Sequence, residues 1–116
     1  MKWTVCLHDE FEAEFDALAI EVQDELMAHA ALLEHFGPQL GRPRVDTLKG
    51  SKFSNMKELR FQAANGVWRV AFAFDSQRQA IILIAGNKSG VSEKRFYQTL
   101  IKKADERFTA HLALIS

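Results

Sequence analysis

The sequence predicts an α+β fold: a small sheet packed against an N-terminal helical pair and a C-terminal helix. Three observations carry that expectation. Apolar residues recur at spacings of three and four from Phe11 to Leu33 and again from Phe96 to Leu112, the period of a half-buried helix. Two alternating runs flank Asn65-Gly66 within residues 56–74, as in a tight hairpin. A third apolar run over residues 80–85 follows a short polar break and has the length of a buried strand.

The elements follow in chain order. In residues 2–7, Trp3, Val5 and Leu7 alternate with Lys2, Thr4 and Cys6, the pattern of a short strand. Asp9 is placed to cap the next helix, whose buried stripe is Phe11, Phe15, Leu18, Val22, Leu26, Ala30 and Leu33;. That stripe fits one bent helix or two helices broken near Ala19, and it stops at Gly37-Pro38. Residues 41–55 are polar and basic with Pro43, Gly50 and Ser51, too irregular to assign an element. The hairpin follows, then a strand from about Gln79 to Ala85. Ser92 caps a last helix that buries Phe96, Leu100, Ala104, Phe108 and Leu112;. The sheet is therefore an N-terminal strand plus a three-strand meander, within a single domain over residues 1–116.

Composition narrows the function classes. An apolar fraction of 47% with nine Phe excludes a disordered chain. The lone Cys6 cannot form an internal disulfide and reads as a buried thiol in a reducing compartment;. No apolar run approaches membrane-spanning length, and Asp9, Glu10 and Glu12 stand where a secretory signal would be apolar;. The expected location is the cytoplasm, with no membrane partner.

A net charge of zero conceals a division. Residues 1–36 hold nine acids against Lys2 alone, a balance of −8, and residues 37–116 carry +8. A phosphate backbone responds to the local basic surface and not to the average. If Asn65-Gly66 forms the two-residue turn, paired residues have numbers that sum to 131. Leu59, Phe61 and Ala63 then face Phe72, Val70 and Trp68 on an apolar side. Arg60 and Arg69 share the other side as diagonal neighbours, with small residues leaving room above them. Two guanidinium forks on one open face suit a phosphate. Glu58 lies on that face and could pair with one of them. Lys49, Lys52 and Lys57 before the hairpin, and Lys88 and Lys94 after the third strand, could converge on that face beside a phosphate backbone;.

The residues at 56–61 (MKELRF) and 66–72 (GVWRVAF) resemble the "ELR…YRI" core of RelE-superfamily toxins. Residues 81–90 (IILIAGNKSG) match the strand and lysine that follow it. The ending with Lys94, Arg95, Phe96, Tyr97, Leu100, Ile101, Ala104 and Asp105 is similar to the phage-associated HigB-like branch. The resemblance implies a RelE-like fold and a type II toxin, an endoribonuclease that cuts mRNA, usually on the translating ribosome. It also implies a cognate helix-turn-helix antitoxin of HigA type. Carried over residue by residue, Arg60 and Arg69 match the arginines at the scissile phosphate, Lys88 the basic residue after the last strand, and Tyr97 a tyrosine near the site. His111 could match a C-terminal histidine of some relatives, although its position favours exposure to solvent.

Two departures stand beside the resemblance. The hairpin and the surroundings of Lys88 show no Glu or His constellation for a general base, since His8, His29 and His35 belong to the N-terminal region. The chain is also neutral, where such toxins are often basic. No ligand spacing suits a metal, no glycine loop suits a nucleotide, and no cofactor is expected;. The alternatives are a ParE-like gyrase inhibitor on the same fold and a noncatalytic nucleic-acid-binding domain.

Overall fold

In the computed structural model, residues 2–116 are described. Along the chain run strand β1 (Thr4–Leu7), helices α1 (Asp9–Asp16) and α2 (Ile20–Phe36), and a 3-10 turn (Gly37–Gln39). Strands β2 (Val45–Thr47), β3 (Met56–Ala63), β4 (Gly66–Phe74) and β5 (Gln79–Asn87) follow, then helix α3 (Glu93–Ile115). The strands form one mixed sheet in the order β1-β5-β4-β3-β2. β1 runs parallel to β5 and the other neighbours are antiparallel. The α+β architecture is the one expected, with one strand more: β2 is three residues long, too short to leave a periodic signature in the sequence.

The N-terminal stripe folds as two helices. α1 stops at Ala17, and Ala19 takes an extended conformation before α2 starts. The side chain that holds the break is Gln23, whose amide lies 2.9 Å from the Phe15 carbonyl, 3.2 Å from that of Leu18 and 3.3 Å from that of Asp16. These carbonyls lie at the end of α1, where carbonyls lose their in-helix donors, and the Phe15 carbonyl also accepts from the Leu18 N–H at 3.0 Å;. The cap of α1 is His8 and not Asp9: His8 Nδ1 accepts from the Glu10 N–H at 3.1 Å. Asp9 is the first helical residue, where its charge still opposes the helix dipole favourably. Ser92 caps α3 as expected, accepting from the Arg95 N–H.

The sheet has a core on each face. Leu59, Phe61, Val70 and Phe72 pack on Phe11, Val22, Leu26 and Leu33 of the helical pair. Met56, Ala71, Ala73, Ile81 and Leu83 point the other way, under Leu100, Ala104 and Phe108 of α3. The arginine-bearing face is therefore not open along its length. The small residues that seemed to leave room admit α3, and only the end of the face near the start of α3 stays accessible. A bulge at Leu83 interrupts the β4–β5 ladder. Buried Arg107 of α3 donates to the Leu83 carbonyl at 2.8 Å and pairs with Glu14 of α1, which ties the two layers together round the bulge.

The hairpin register differs from the expected one by two. Its turn is Ala64-Asn65, at φ 49° and 61°, and partners sum to 129. Leu59 thus faces Val70, Phe61 faces Trp68, and Ala63 faces Gly66. Gly66 instead opens β4, where crowding admits no side chain: a Cβ there would lie 2.8 Å from both Asn87 Nδ2 and Trp68 Nε1. A shift of two preserves the faces of both strands and changes only who stands opposite whom.

Candidate functional site

That shift sets Arg60 of β3 directly opposite Arg69 of β4. Beside them on the same face is Glu58, whose own partners are Ala71 on β4 and Asp46 on β2. Glu58 is 5% exposed. Its Oε1 accepts from the Tyr97 hydroxyl at 2.9 Å and lies 3.9 Å from Arg69 Nε; its Oε2 lies 3.9 Å from Arg60 Nε. Burial pushes the Glu58 carboxyl above the usual carboxylate range, against the opposing pull of Tyr97, Arg60 and Arg69;. Burial and the Glu58 hydrogen bond likewise raise Tyr97, so its hydroxyl stays a proton donor.

Arg69 is the more enclosed cation. One terminal nitrogen donates to the Trp68 carbonyl at 2.9 Å, while its buried Nε has no hydrogen-bond partner among the described residues. Separations of 3.9 Å are too long to satisfy either fork. Arg60 also reaches Asp46 at 3.7 Å, and Asp46 in turn holds Arg42 at 3.2 Å. The Thr47 N–H and these arginines keep Asp46 below the ordinary carboxylate range. The two cross-strand carboxylates are thus driven apart: Asp46 is held as an anion, and Glu58 is poised to take a proton.

Gly86, opposite Arg69, lets α3 come close, since a Cβ there would meet Phe96 at 2.9 Å. That approach delivers Tyr97 to Glu58. Lys88, just past β5, lies 5.9 Å from the Tyr97 ring centre and pairs with Glu93 at 3.1 Å. A hollow of about 330 Å³ opens over Glu58 and Tyr97, lined also by Arg42, Asp46, Thr47 and Lys49. A second, of about 470 Å³, runs from Lys49 past Tyr97 to Lys94 and Lys102.

The structure therefore brings together Arg60, Arg69, Tyr97 and Lys88, with Lys49 and Lys94 along the approach. It does not bring Lys57, which projects from the opposite face of β3 toward Thr47 Oγ1 at 3.5 Å. Nor does it bring Lys52, whose ammonium lies over the Phe53 ring and whose N–H donates to Asp105. His111 is neither at the site nor in solvent: half-buried near the far end of α3, its Nε2 lies 2.8 Å from Asp75 Oδ2. Cys6 is half-buried and donates to Gln79 Oε1, with burial and Asp75 raising its thiol. Sequence reasoning missed Glu58 as an acid–base group and Arg42 as a lining cation. The signal for Glu58 was its place two residues from Arg60, on the same side of one strand.

Geometry of this kind can bind an anion between two arginines and move a proton beside it. No helix among the described residues is long and apolar enough to cross a membrane. The family model for phage-derived Gp49-like proteins (DUF891) matches residues 13–109. The chain is 45% identical over 113 residues to a Mycobacterium tuberculosis protein named "Putative toxin HigB2", covering 96% of this chain and 55% of that one. It is 44% identical over 109 residues to "Putative toxin HigB3" of the same organism, covering 94% and 93%. The chain thus spans little more than half the length of the first relative and nearly all of the second. In solved structures, the fold matches a mutant of E. coli toxin RelE in the free state, with two arginines replaced by alanine, at a TM-score of 0.64 and 12% identity over 89% of this chain and 97% of that one. It matches an archaeal RelE–RelB complex from Pyrococcus horikoshii at 0.56 and 17% identity, over 78% and 100%. With the family model over most of its length and two relatives at 44–45% identity, the chain belongs to the Gp49-like family alongside HigB-named proteins, and its fold is RelE-like.

Proposed function

We propose that this chain is the toxin of a type II toxin–antitoxin pair and acts as an endoribonuclease on mRNA at the ribosome, which inhibits translation. The observation that carries the reading is the cross-strand pair Arg60–Arg69 beside buried Glu58, with Arg69 Nε left unpaired. The arginine forks hold the nonbridging oxygens of the scissile phosphate and stabilise the charge that builds on them. Glu58 accepts the proton of the ribose 2′-hydroxyl, and the freed oxygen attacks phosphorus. The bond to the 5′-oxygen breaks, and that oxygen takes a proton from Lys88 or Tyr97, leaving a 2′,3′-cyclic phosphate and a 5′-hydroxyl. The positive charge comes from side chains, so the scheme calls for no metal or cofactor. Tyr97 also fixes the orientation of Glu58. The partner is a HigA-like antitoxin, a reading supported by the relatives' names and by the archaeal neighbour, itself a toxin–antitoxin complex.

The test is brief expression of wild type and Arg60→Ala/Arg69→Ala in bacteria, with RNA 5′ ends mapped within minutes. New 5′-hydroxyl ends inside translated codons are expected from wild type and not from the double variant. Growth arrest without new ends, accompanied by loss of gyrase supercoiling, would replace the nuclease by a ParE-like activity. Intact RNA that binds with a steep salt dependence would leave only a binding domain.

A further inference from the structure

Away from the arginines, α1 and α2 carry nine acids and no Lys or Arg. Glu14 is committed to Arg107, and Glu34 has an exposed contact with Lys2 at 3.8 Å. Beside this acidic layer lies the outer edge of the sheet, β1. Its bonds to β5 run from the Thr4 N–H to Arg78 and from the His8 N–H to Ile82. By strand alternation, Trp3, Val5 and Leu7 turn their main-chain groups outward. The Trp3 N–H is taken by the Glu34 carbonyl at 2.9 Å. The edge is thus closed at Trp3 and open at Val5 and Leu7.

Above that open stretch is a groove of about 180 Å³ between β1 and α2, lined by Val5, Leu7, Met27, Ala30, Ala31 and Glu34. Met27 is 52% exposed. Asp24, Met27, Ala31 and Glu34 are spaced three, four and three apart, so they share one face of α2;. Unpaired strand edge, apolar groove and acidic rim are three separate demands on an occupant. They ask for extended backbone, an apolar side chain and cations.

We propose that the β1 edge and its groove form a docking site for an extended segment of a partner protein that bears Lys or Arg. The segment adds to β1 as a strand, seats an apolar side chain against Met27 and Ala31, and sets its cations beside Asp24 and Glu34. A second copy of the chain is disfavoured, because edge-to-edge pairing of β1 would bring two surfaces of −8 together;. Nucleic acid is repelled by the same charge. The site rests on the toxin reading only for the source of the partner, and it leaves the basic face uncovered.

The experiment uses the protein whose co-expression relieves growth arrest, with amide hydrogen exchange read on its complex with this chain. Protection of the Val5 and Leu7 amides is expected. Val5→Pro deletes an outward donor and no bond to β5. Asp24→Lys/Met27→Lys alters only exposed side chains and guards against misfolding of the first variant. Each is expected to weaken binding by roughly tenfold or more at unchanged Tm, with the loss in the charge variant shrinking at high salt. Wild-type affinity in Asp24→Lys/Met27→Lys, or protection confined to Arg60, Arg69 and Tyr97, overturns the proposal. So does a dimer of the chain alone that protects Val5 and Leu7. If expression arrests no growth, the toxin reading fails, and two short synthetic peptides that alternate Val with Lys or Val with Glu decide the docking site. Protection by the Lys peptide alone upholds it, and equal protection or none overturns it.

Discussion

Helix α3 makes a hydrogen bond to a buried carboxylate near each end, and the two carboxylates have opposite fates. Near its start Tyr97 meets Glu58; about 21 Å further along the axis, His111 meets Asp75. Asp75 also accepts from the Gln77 and Gln79 N–H groups at 2.9 and 3.0 Å and from the Gln79 side chain at 3.0 Å. Burial would raise it, but the bonds from His111, Gln79 and Gln77 outweigh burial and hold it below the usual range. Glu58 has one short hydrogen bond and two arginines at 3.9 Å, so burial wins and its carboxyl is raised. A buried carboxylate with its acceptors filled serves the fold. One with acceptors to spare, beside an arginine whose buried Nε has no partner among the described residues, is available for chemistry;.

The largest effect that would break this comparison is on rate. Glu58→Gln keeps the shape and the bond from Tyr97 but cannot take a proton. Cleavage by the purified variant should fall about 10²–10⁴-fold with no loss of Tm. In the wild type the acid limb of the pH–rate profile should lie above the ordinary carboxylate range, and the variant should lack that limb. A variant with full activity, or a limb that persists, removes Glu58 from the proton path.

Next in size is a loss of stability. Asp75→Ala strands the Gln77 and Gln79 donors and His111, and should cost ~2–4 kcal/mol in denaturant unfolding, while the folded fraction still cleaves. The pH dependence sharpens the contrast. A lowered carboxylate contributes stability above its unfolded pKa of about 3.9 and loses it as pH falls through the lower folded value. A raised one works in reverse. Glu58 favours the folded state while protonated, and that contribution is lost as pH rises from its unfolded value through the raised folded value. Asp75→Ala should therefore flatten the stability curve on its acid side, and Glu58→Gln just above the ordinary carboxylate range.

How far the sequence discloses these two sites follows from the range of the forces involved. Helix and strand faces were legible because burial imposes periods of 3.6 and 2 on neighbouring residues: Phe96, Leu100, Ala104, Phe108 and Leu112 lie on α3 as a stripe should;. Arg60 and Arg69 were legible as residues of one face for the same reason. Contacts across the chain were not. The Gln23 cap of α1, the short strand β2 and the Tyr97–Glu58 and His111–Asp75 bonds join residues that no local pattern links. Glu58 was read as a possible partner for an arginine because its burial depends on where α3 settles, and periodicity does not fix that. The hairpin register failed for a related reason: Asn-Gly is a strong turn signal, but the space around Gly66 is set by Asn87 and Trp68.

The smallest effect tests that register, which decides that Arg69 and not another residue stands opposite Arg60 beside Glu58. Ala64 sits at φ 49°, where a Cβ costs energy and glycine is unstrained;. Ala64→Gly should therefore stabilise the protein by about 0.5–1 kcal/mol, net of the added freedom of the unfolded chain, with cleavage unchanged. Gly66→Ala should act in the opposite sense, because its new Cβ meets the side chains of Asn87 and Trp68. With Asn65-Gly66 as the turn only the first sign would change: Ala64 would sit in extended backbone, where glycine weakens a strand, while Gly66 would hold the positive φ and Gly66→Ala would destabilise in either register. Thermal unfolding of Ala64→Gly therefore decides between the registers. If Ala64→Gly lowers Tm, the arginines are diagonal neighbours, and the geometry that leaves Glu58 its spare acceptors no longer holds.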